Sequence, residues 1–79
     1  MDYFKIGKYQ LVEENVLYTA RILYDILEQK KHIDELFEEY SEYNNIQLSL
    51  NVEKTLFLSL TFLFSLGKIK VENNLIVRE

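Results

Sequence analysis

Few residues in this sequence could carry out chemistry. The chain has a single histidine, His32, and no cysteine, so it offers neither a histidine cluster nor thiolates for a metal, and no disulfide. A glycine-rich phosphate-binding loop is absent, and the serines have no second histidine or reactive lysine pattern to activate their hydroxyls as nucleophiles. We therefore expect no catalytic residue, no metal and no cofactor, and a surface or capping role for His32.

The remaining chemical candidates are carboxylates concentrated in one short stretch. Acid–base work by paired carboxylates needs burial of one of them, because burial raises the pKa of a carboxyl group, and nothing in the surrounding residues indicates such burial. We interpret the stretch as the solvated face of a helix that could orient a basic partner and speed its association. The acidic residues are Asp34, Glu35, Glu38, Glu39 and Glu42.

Length and charge limit both the fold and the partners. With 79 residues and a net charge of −4, the chain is expected to form one domain over residues 1–79, with about 60% of its surface buried. The negative charge disfavours nucleic acid as the main partner. No signal peptide is visible, and the apolar run Leu56–Leu66 is shorter than the roughly 20 residues of a membrane span. We expect a cytoplasmic protein with no membrane partner.

The most apolar stretch, Asn51–Gly67, predicts the helix around which the core is organised. Asn51 is a favourable N-cap residue, and Gly67 stands where a left-handed C-terminal cap is expected. At about 100° per residue, one helix face gathers apolar residues that would meet the core. These core-facing residues are Val52, Leu56, Leu60, Leu63 and Leu66.

More large apolar residues occur in this helix than one buried face needs. Exposed apolar and aromatic patches usually mark protein interfaces. We therefore predict a partner-binding surface on this helix, joined by Glu35, Glu38, Glu39 and Glu42 of the acidic stretch. Alternatively, residues 1–12, an N-terminal arm or short strand, cover these side chains, and both interpretations stay open. The surplus residues are Phe57, Leu58, Phe62 and Phe64.

Two amphipathic helices are predicted before this one. The first is Glu13–Lys30 and the second is Ile33–Tyr43, each with apolar residues at helical spacing. Ile22 and Ile26 lie outside the main stripe of the first helix, so they meet either another element of the domain or another chain. Ile46–Leu50 alternates apolar and polar residues, which is typical of a short strand or an extended connector.

Residues 68–79 predict a β-hairpin. Two short apolar segments flank Asn73 and Asn74, and asparagine tolerates the positive φ that a tight hairpin turn requires. Three helices followed by a hairpin is the element order of a winged helix-turn-helix domain. We therefore predict an α+β fold, a small winged helix-turn-helix with a C-terminal hairpin wing.

A winged helix that reads DNA is the alternative from a different functional class. Base recognition uses Arg, Lys, Asn or Gln side chains on the third helix, whereas its outward sector here offers Lys54, Thr61, Ser65 and Leu58. The acidic second helix would also oppose a phosphate backbone. A small dimeric transcription regulator is therefore the second hypothesis. Its candidate nucleic-acid contacts are Lys54, Lys68, Lys70 and Arg78.

Residues 55–71 resemble the closing signature of the small middle components of bacterial ABC-three-component systems. In those proteins an apolar helix of the form Leu-x-x-Leu-Phe-x-Leu-Gly leads into an apolar strand and a short wing. Residues 60–67 (Leu-Thr-Phe-Leu-Phe-Ser-Leu-Gly) match the helix, and Ile69, Val71 and Leu75 match the wing. The resemblance covers about Val16–Glu79.

The resemblance implies an adaptor with no catalytic residues of its own. Such middle components are encoded beside an SMC-like or ABC-type ATPase and an effector, often a nuclease, in anti-phage defence. They are similar to the winged-helix subunits that clasp SMC complexes. The leading hypothesis is therefore a non-enzymatic adaptor that bridges or regulates the ATPase and the effector, with a homodimer as a further candidate assembly.

Overall fold

The computed structural model describes the backbone of residues 3–79 and the side chains of residues 15–79. Three helices are followed by an antiparallel two-stranded hairpin, so the predicted α+β fold is confirmed. This element order is consistent with a winged helix-turn-helix domain. The elements are α1 (Tyr3–Ile26), α2 (Ile33–Asn44), α3 (Leu50–Ser65), β1 (Ile69–Glu72) and β2 (Leu75–Arg78).

The start of α1 differs from the prediction. The helix begins at Tyr3 instead of Glu13, so the expectation of an arm or short strand over residues 1–12 is wrong for residues 3–12. No strand in the described part of the chain pairs with this segment, and a helix satisfies its own backbone hydrogen bonds where an unpaired strand cannot. Residues 1 and 2, and any covering of α3 by side chains of residues 3–14, lie outside what the structure describes.

The end of α1 also differs, and backbone pairing with the hairpin explains why. The helix ends at Ile26 instead of Lys30, because Lys31 forms an isolated antiparallel bridge with Ile76 of β2. The Lys31 amide donates to the Ile76 carbonyl over 3.2 Å, and the Ile76 amide donates to the Lys31 carbonyl over 2.7 Å. The α1–α2 connection is therefore extended at Lys31 and tied to the wing.

The predicted N-terminus of α3 is displaced by two residues. Ser49 is the N-cap, and its Oγ accepts a hydrogen bond from the Val52 amide over 3.2 Å, so Asn51 lies inside the helix. The connector before Ser49 carries no strand in the structure. At the other end the prediction is confirmed. Gly67 has φ +73°, and the Lys68 amide reaches the Leu63 carbonyl over 2.9 Å, which closes the helix as a Schellman motif.

All five elements contribute to one core. Leu23 of α1, Leu27 just after α1, Leu36 of α2 and Leu56 of α3 are almost fully buried. Ile22 is buried and Ile26 packs against the core, so these two residues meet other elements of the domain. The hairpin closes the core with one buried isoleucine from each strand, Ile69 and Ile76.

A buried serine lies where α1 and α3 meet. Ser59 is completely buried, and its Oγ lies 2.7 Å from the Thr55 carbonyl and 3.1 Å from the Val16 carbonyl of α1. Its hydroxyl is therefore satisfied within the core. A residue of this size also lets the two helix backbones approach closely, which a leucine at this point of the apolar stripe would prevent.

The hairpin is held to the helices by its last strand. The strands pair from Ile69 opposite Arg78 to Glu72 opposite Leu75, and the two turn asparagines have φ +52° and +66°, as the prediction requires. Arg78 donates from Nη1 to the Tyr24 carbonyl over 3.1 Å and lies 4.8 Å above the centre of the Tyr24 ring. A two-stranded sheet that would be marginal alone is thereby fixed to α1.

Candidate interaction surface

One side of α3 exposes large apolar side chains along its whole length. Leu50, Phe57 and Phe64 are spaced at seven residues, so they form a line along the helix, and Leu58 is exposed about 100° around the helix from that line. Their exposed fractions are 71% for Leu50, 52% for Phe57, 58% for Phe64 and 56% for Leu58. We call these four residues the α3 outer surface. Leu50 was not among the predicted residues, because the helix was expected to begin after it.

The α3 outer surface is held in place by an aromatic contact. The ring of Phe57 meets the ring of Phe37 of α2 edge to face, with 5.1 Å between ring centres and 76° between ring planes. Phe37 is 6% exposed and belongs to the core. Phe57 is therefore partly exposed to solvent and partly packed against the core. No aromatic contact is found for Phe64 among the described side chains.

The polar side chains on this side of α3 bond mainly to the helix itself and add little polarity to the surface. Thr61 donates its hydroxyl to the Phe57 carbonyl and Ser65 donates its hydroxyl to the Phe62 carbonyl, both over 2.9 Å. These hydroxyls are satisfied by the helix itself, so a partner need not replace their hydrogen bonds. Lys54 is the one charged residue among the exposed positions of α3.

Phe62 does not belong to the α3 outer surface. The structure places it on another side of the helix, partly buried and packed against the core. It lines a groove between α1 and the end of α3 instead. Phe57 and Phe64 are therefore brought together, and Phe62 lies apart from them. Leu58, four residues before Phe62, lies on the side of the helix between Phe57 and Phe62.

The acidic residues of α2 are all exposed, but two of them contact other residues of the domain. Glu35 accepts a hydrogen bond from the His32 amide over 3.1 Å, and Glu39 lies 3.3 Å from the Lys31 ammonium. Glu38 and Glu42 form no ion pair with any side chain of residues 15–79. Asp34 likewise forms no ion pair there, so three of the five carboxylates of α2 are unpaired among the described side chains.

His32 lies exposed at the start of α2, and its side chain makes no capping hydrogen bond to that helix. It is the N-cap residue of α2, and its Nδ1 lies 3.2 Å from the Asn74 carbonyl at the tip of the hairpin. Because a carbonyl only accepts, Nδ1 carries the proton and donates it. His32 thus joins the start of α2 to the wing.

The candidate nucleic-acid contacts do not form a continuous basic surface. Lys70 pairs with Glu72 over 3.2 Å and with Glu79 over 3.4 Å, and hydrogen bonds and charge from these carboxylates raise its pKa. Arg78 is bound to Tyr24, as described above. Lys54 and Lys68 are exposed, and neither forms an ion pair with a carboxylate of residues 15–79.

Two further observations concern chemistry and membranes. No three potential metal ligands come together among the described side chains. Within the described part of the chain, no helix combines the length and the apolar character that crossing a membrane requires.

The resemblance seen in the sequence is confirmed by comparison with known families. The chain belongs to the family described as ABC-three component (ABC-3C) system Middle Component 6, whose family model matches residues 8–79. It is 51% identical over 78 residues to the uncharacterized protein YydC of Bacillus subtilis (strain 168). That match covers 99% of this chain and 59% of the relative, so the chain spans about three fifths of the relative's length. No solved structure matches the chain.

Proposed function

We propose that this protein is a non-enzymatic adaptor that bridges or regulates an SMC- or ABC-type ATPase and an effector such as a nuclease. Its place would be in the bacterial cytoplasm, in defence against phage. Membership of a middle-component family supports protein partners. The structure contributes the surface through which one of them would dock.

The α3 outer surface is the observation that carries this proposal. Its four residues are all more than half exposed, although each is a large apolar side chain. Leaving such a row in water forgoes about 25 cal/mol for every Å² that a partner could bury. A protein partner that covers this row gains that burial, and rows of this kind are a feature of protein-binding surfaces.

The acidic face of α2 would act together with this row. Phe57 packs on Phe37 of α2, so the α3 outer surface and α2 are held together through the core. Glu38 and Glu42 remain for a basic region of the partner. Such charges orient the encounter and speed it, whereas the buried apolar contact supplies most of the affinity.

The same helix argues against the DNA-binding alternative. In a winged helix that reads bases, this position supplies long polar side chains, whereas here the outer surface supplies leucine and phenylalanine. Two of the four candidate phosphate contacts are already engaged within the domain, Lys70 with Glu72 and Glu79 and Arg78 with Tyr24. A duplex DNA titration is expected to show no binding at low micromolar protein, and a salt-sensitive shift there would favour the alternative.

The proposal is tested by co-purification. The tagged chain is expressed together with the ATPase and the effector encoded beside its gene, and the complex is isolated on the tag. We expect the ATPase to co-purify and to remain bound through size-exclusion chromatography. A chain that elutes alone, or one whose gene has no ATPase beside it, would contradict the adaptor function.

A further inference from the structure

A groove lies between α1 and the C-terminal end of α3, on a different side of α3 from Leu50, Phe57 and Phe64. Phe62, which lines it, follows Phe57 by five residues and so points about 140° away around the helix. The groove has a volume of about 230 Å³, which is below the roughly 300–1,000 Å³ of small-molecule pockets. A space of this size suits one or two side chains of a partner. Its apolar lining comes mainly from Leu17, Tyr24, Phe62 and Leu66.

The charged residues of the groove are both cations. Arg21 on α1 and Lys68 after α3 line it, and no carboxylate of residues 15–79 does. Both residues are exposed, and neither pairs with a carboxylate among residues 15–79. The backbone of Lys68 is held in place, because its amide donates to the Leu63 carbonyl over 2.9 Å and its carbonyl accepts from the Glu79 amide over 2.8 Å.

We propose that this groove binds an acidic amphipathic helix of a partner protein, with one large apolar side chain in the groove and carboxylates beside Arg21 and Lys68. Charge complementarity points to this occupant, and an apolar groove flanked by charge is a common way to receive a helix. The inference rests on the proposed bridging function and gives it a second contact. The groove is basic and the α2–α3 side is acidic, so the two surfaces would select partners of opposite charge.

A peptide titration tests the groove directly. The probe is a designed amphipathic peptide of about 15 residues with Leu and Phe at i, i+3, i+4 and i+7 and Glu on both flanks. The matched probe has Gln in place of every Glu. We expect the Glu peptide to bind about tenfold more tightly than the Gln peptide, since two surface ion pairs are at stake. This difference should shrink between about 0.05 M and about 0.5 M salt.

Two pairs of substitutions locate the contact. Arg21→Glu with Lys68→Glu should remove the preference for the Glu peptide. Lys30→Glu with Lys54→Glu changes the net charge by the same amount at exposed positions outside the groove, and should retain it. In nuclear magnetic resonance spectra, the Glu peptide should shift the amides of the residues that line the groove, and those of Leu50 and Phe57 should not move.

Several results would overturn the inference. One is failure of the Glu peptide to bind, and a second is equal affinity of the two peptides. A third is loss of the preference for the Glu peptide to the same extent in the two charge-reversed proteins. Another is a self-associated wild-type protein that the Arg21→Glu and Lys68→Glu changes dissociate, because the occupant would then be a second copy of the chain. If the ATPase still co-purifies through the α3 outer surface, these results leave the proposed function intact and remove the groove alone.

Discussion

The ring of Phe57 stands edge-on against the ring of Phe37, with 5.1 Å between their centres. One ring is half exposed on α3, and the other is buried on the inner side of the acidic helix α2. The contact therefore couples the apolar row proposed to bind a partner to the core of the domain. It also means that Phe57 and Phe64, which are exposed to similar extents, should respond differently to substitution.

Truncation of these two phenylalanines should change the free energy of unfolding by different amounts, although the two side chains are similarly exposed. Phe57→Ala is expected to lower the free energy of unfolding by about 1–2 kcal/mol, because an aromatic pair and part of a buried ring are lost. Phe64→Ala should change it by less than about 0.5 kcal/mol. Urea denaturation followed by circular dichroism measures both. Equal losses in the two variants would show that Phe64 also belongs to the core.

Removal of the Arg78 side chain should destabilise the packing of the hairpin on α1, because Arg78 is expected to have a structural role and not a nucleic-acid-binding one. Arg78→Ala is expected to cost about 1–2 kcal/mol, because it deletes a charged hydrogen bond to the Tyr24 carbonyl and the contact above the Tyr24 ring. Amide exchange in β1 and β2 should become faster. Lys68→Ala is the matched control and should leave the free energy of unfolding nearly unchanged. A stable Arg78→Ala protein with an unchanged hairpin would contradict this role.

Regular periodicity made much of this fold predictable. The inward leucines of α3 recur at helical spacing, and Leu56, Leu60 and Leu63 are buried as expected. The hairpin was also predictable, because Asn73 and Asn74 tolerate the positive φ that its turn needs. Leu66 was expected in the core but is 55% exposed. It is the C-cap residue, where the chain is leaving the helix.

Features that depend on tertiary contacts were not predictable. Ser59 interrupts an apolar run, and only the approach of α1 to α3 shows that a small buried side chain is required there. Lys31 carries no strand signal, because its single bridge depends on where Ile76 lies. For the candidate site, helical spacing predicted that Phe57, Leu58 and Phe64 would be surplus to the core. It missed Leu50, since Ser49 rather than Asn51 is the N-cap.

A methyl group added at Gly67 should test the end of α3. Gly67 has φ +73°, and a Cβ there would meet no atom within 4 Å. The cost of Gly67→Ala is therefore conformational, about 1 kcal/mol in the free energy of unfolding. Gly67→Asn should cost less, because asparagine tolerates this region. A larger loss from Asn than from Ala, measured by thermal unfolding, would contradict this explanation.

Substitution of some α2 carboxylates should lower stability, and substitution of others should slow association with a partner. Glu35→Ala is expected to lower the free energy of unfolding by about 0.5–1 kcal/mol, because the His32 amide loses its capping partner. Glu38→Lys together with Glu42→Lys should leave stability nearly unchanged and slow association with the ATPase, measured by stopped flow at low salt. If the Glu38 and Glu42 changes leave the association rate unaltered, α2 does not guide the partner.

The central claim, that the α3 outer surface docks a partner, is tested most directly by Phe64→Asp in the co-purification experiment. Phe64 is the better choice than Phe57, because Phe57 packs on Phe37 and no aromatic contact of Phe64 occurs among the side chains of residues 15–79. Tyr18→Asp is the matched control, since Tyr18 is 65% exposed on α1. Both proteins should retain the circular dichroism spectrum and the melting temperature of the wild type. The claim predicts that Phe64→Asp abolishes co-purification with the ATPase and that Tyr18→Asp preserves it. A folded Phe64→Asp protein that still retains the ATPase would contradict the claim.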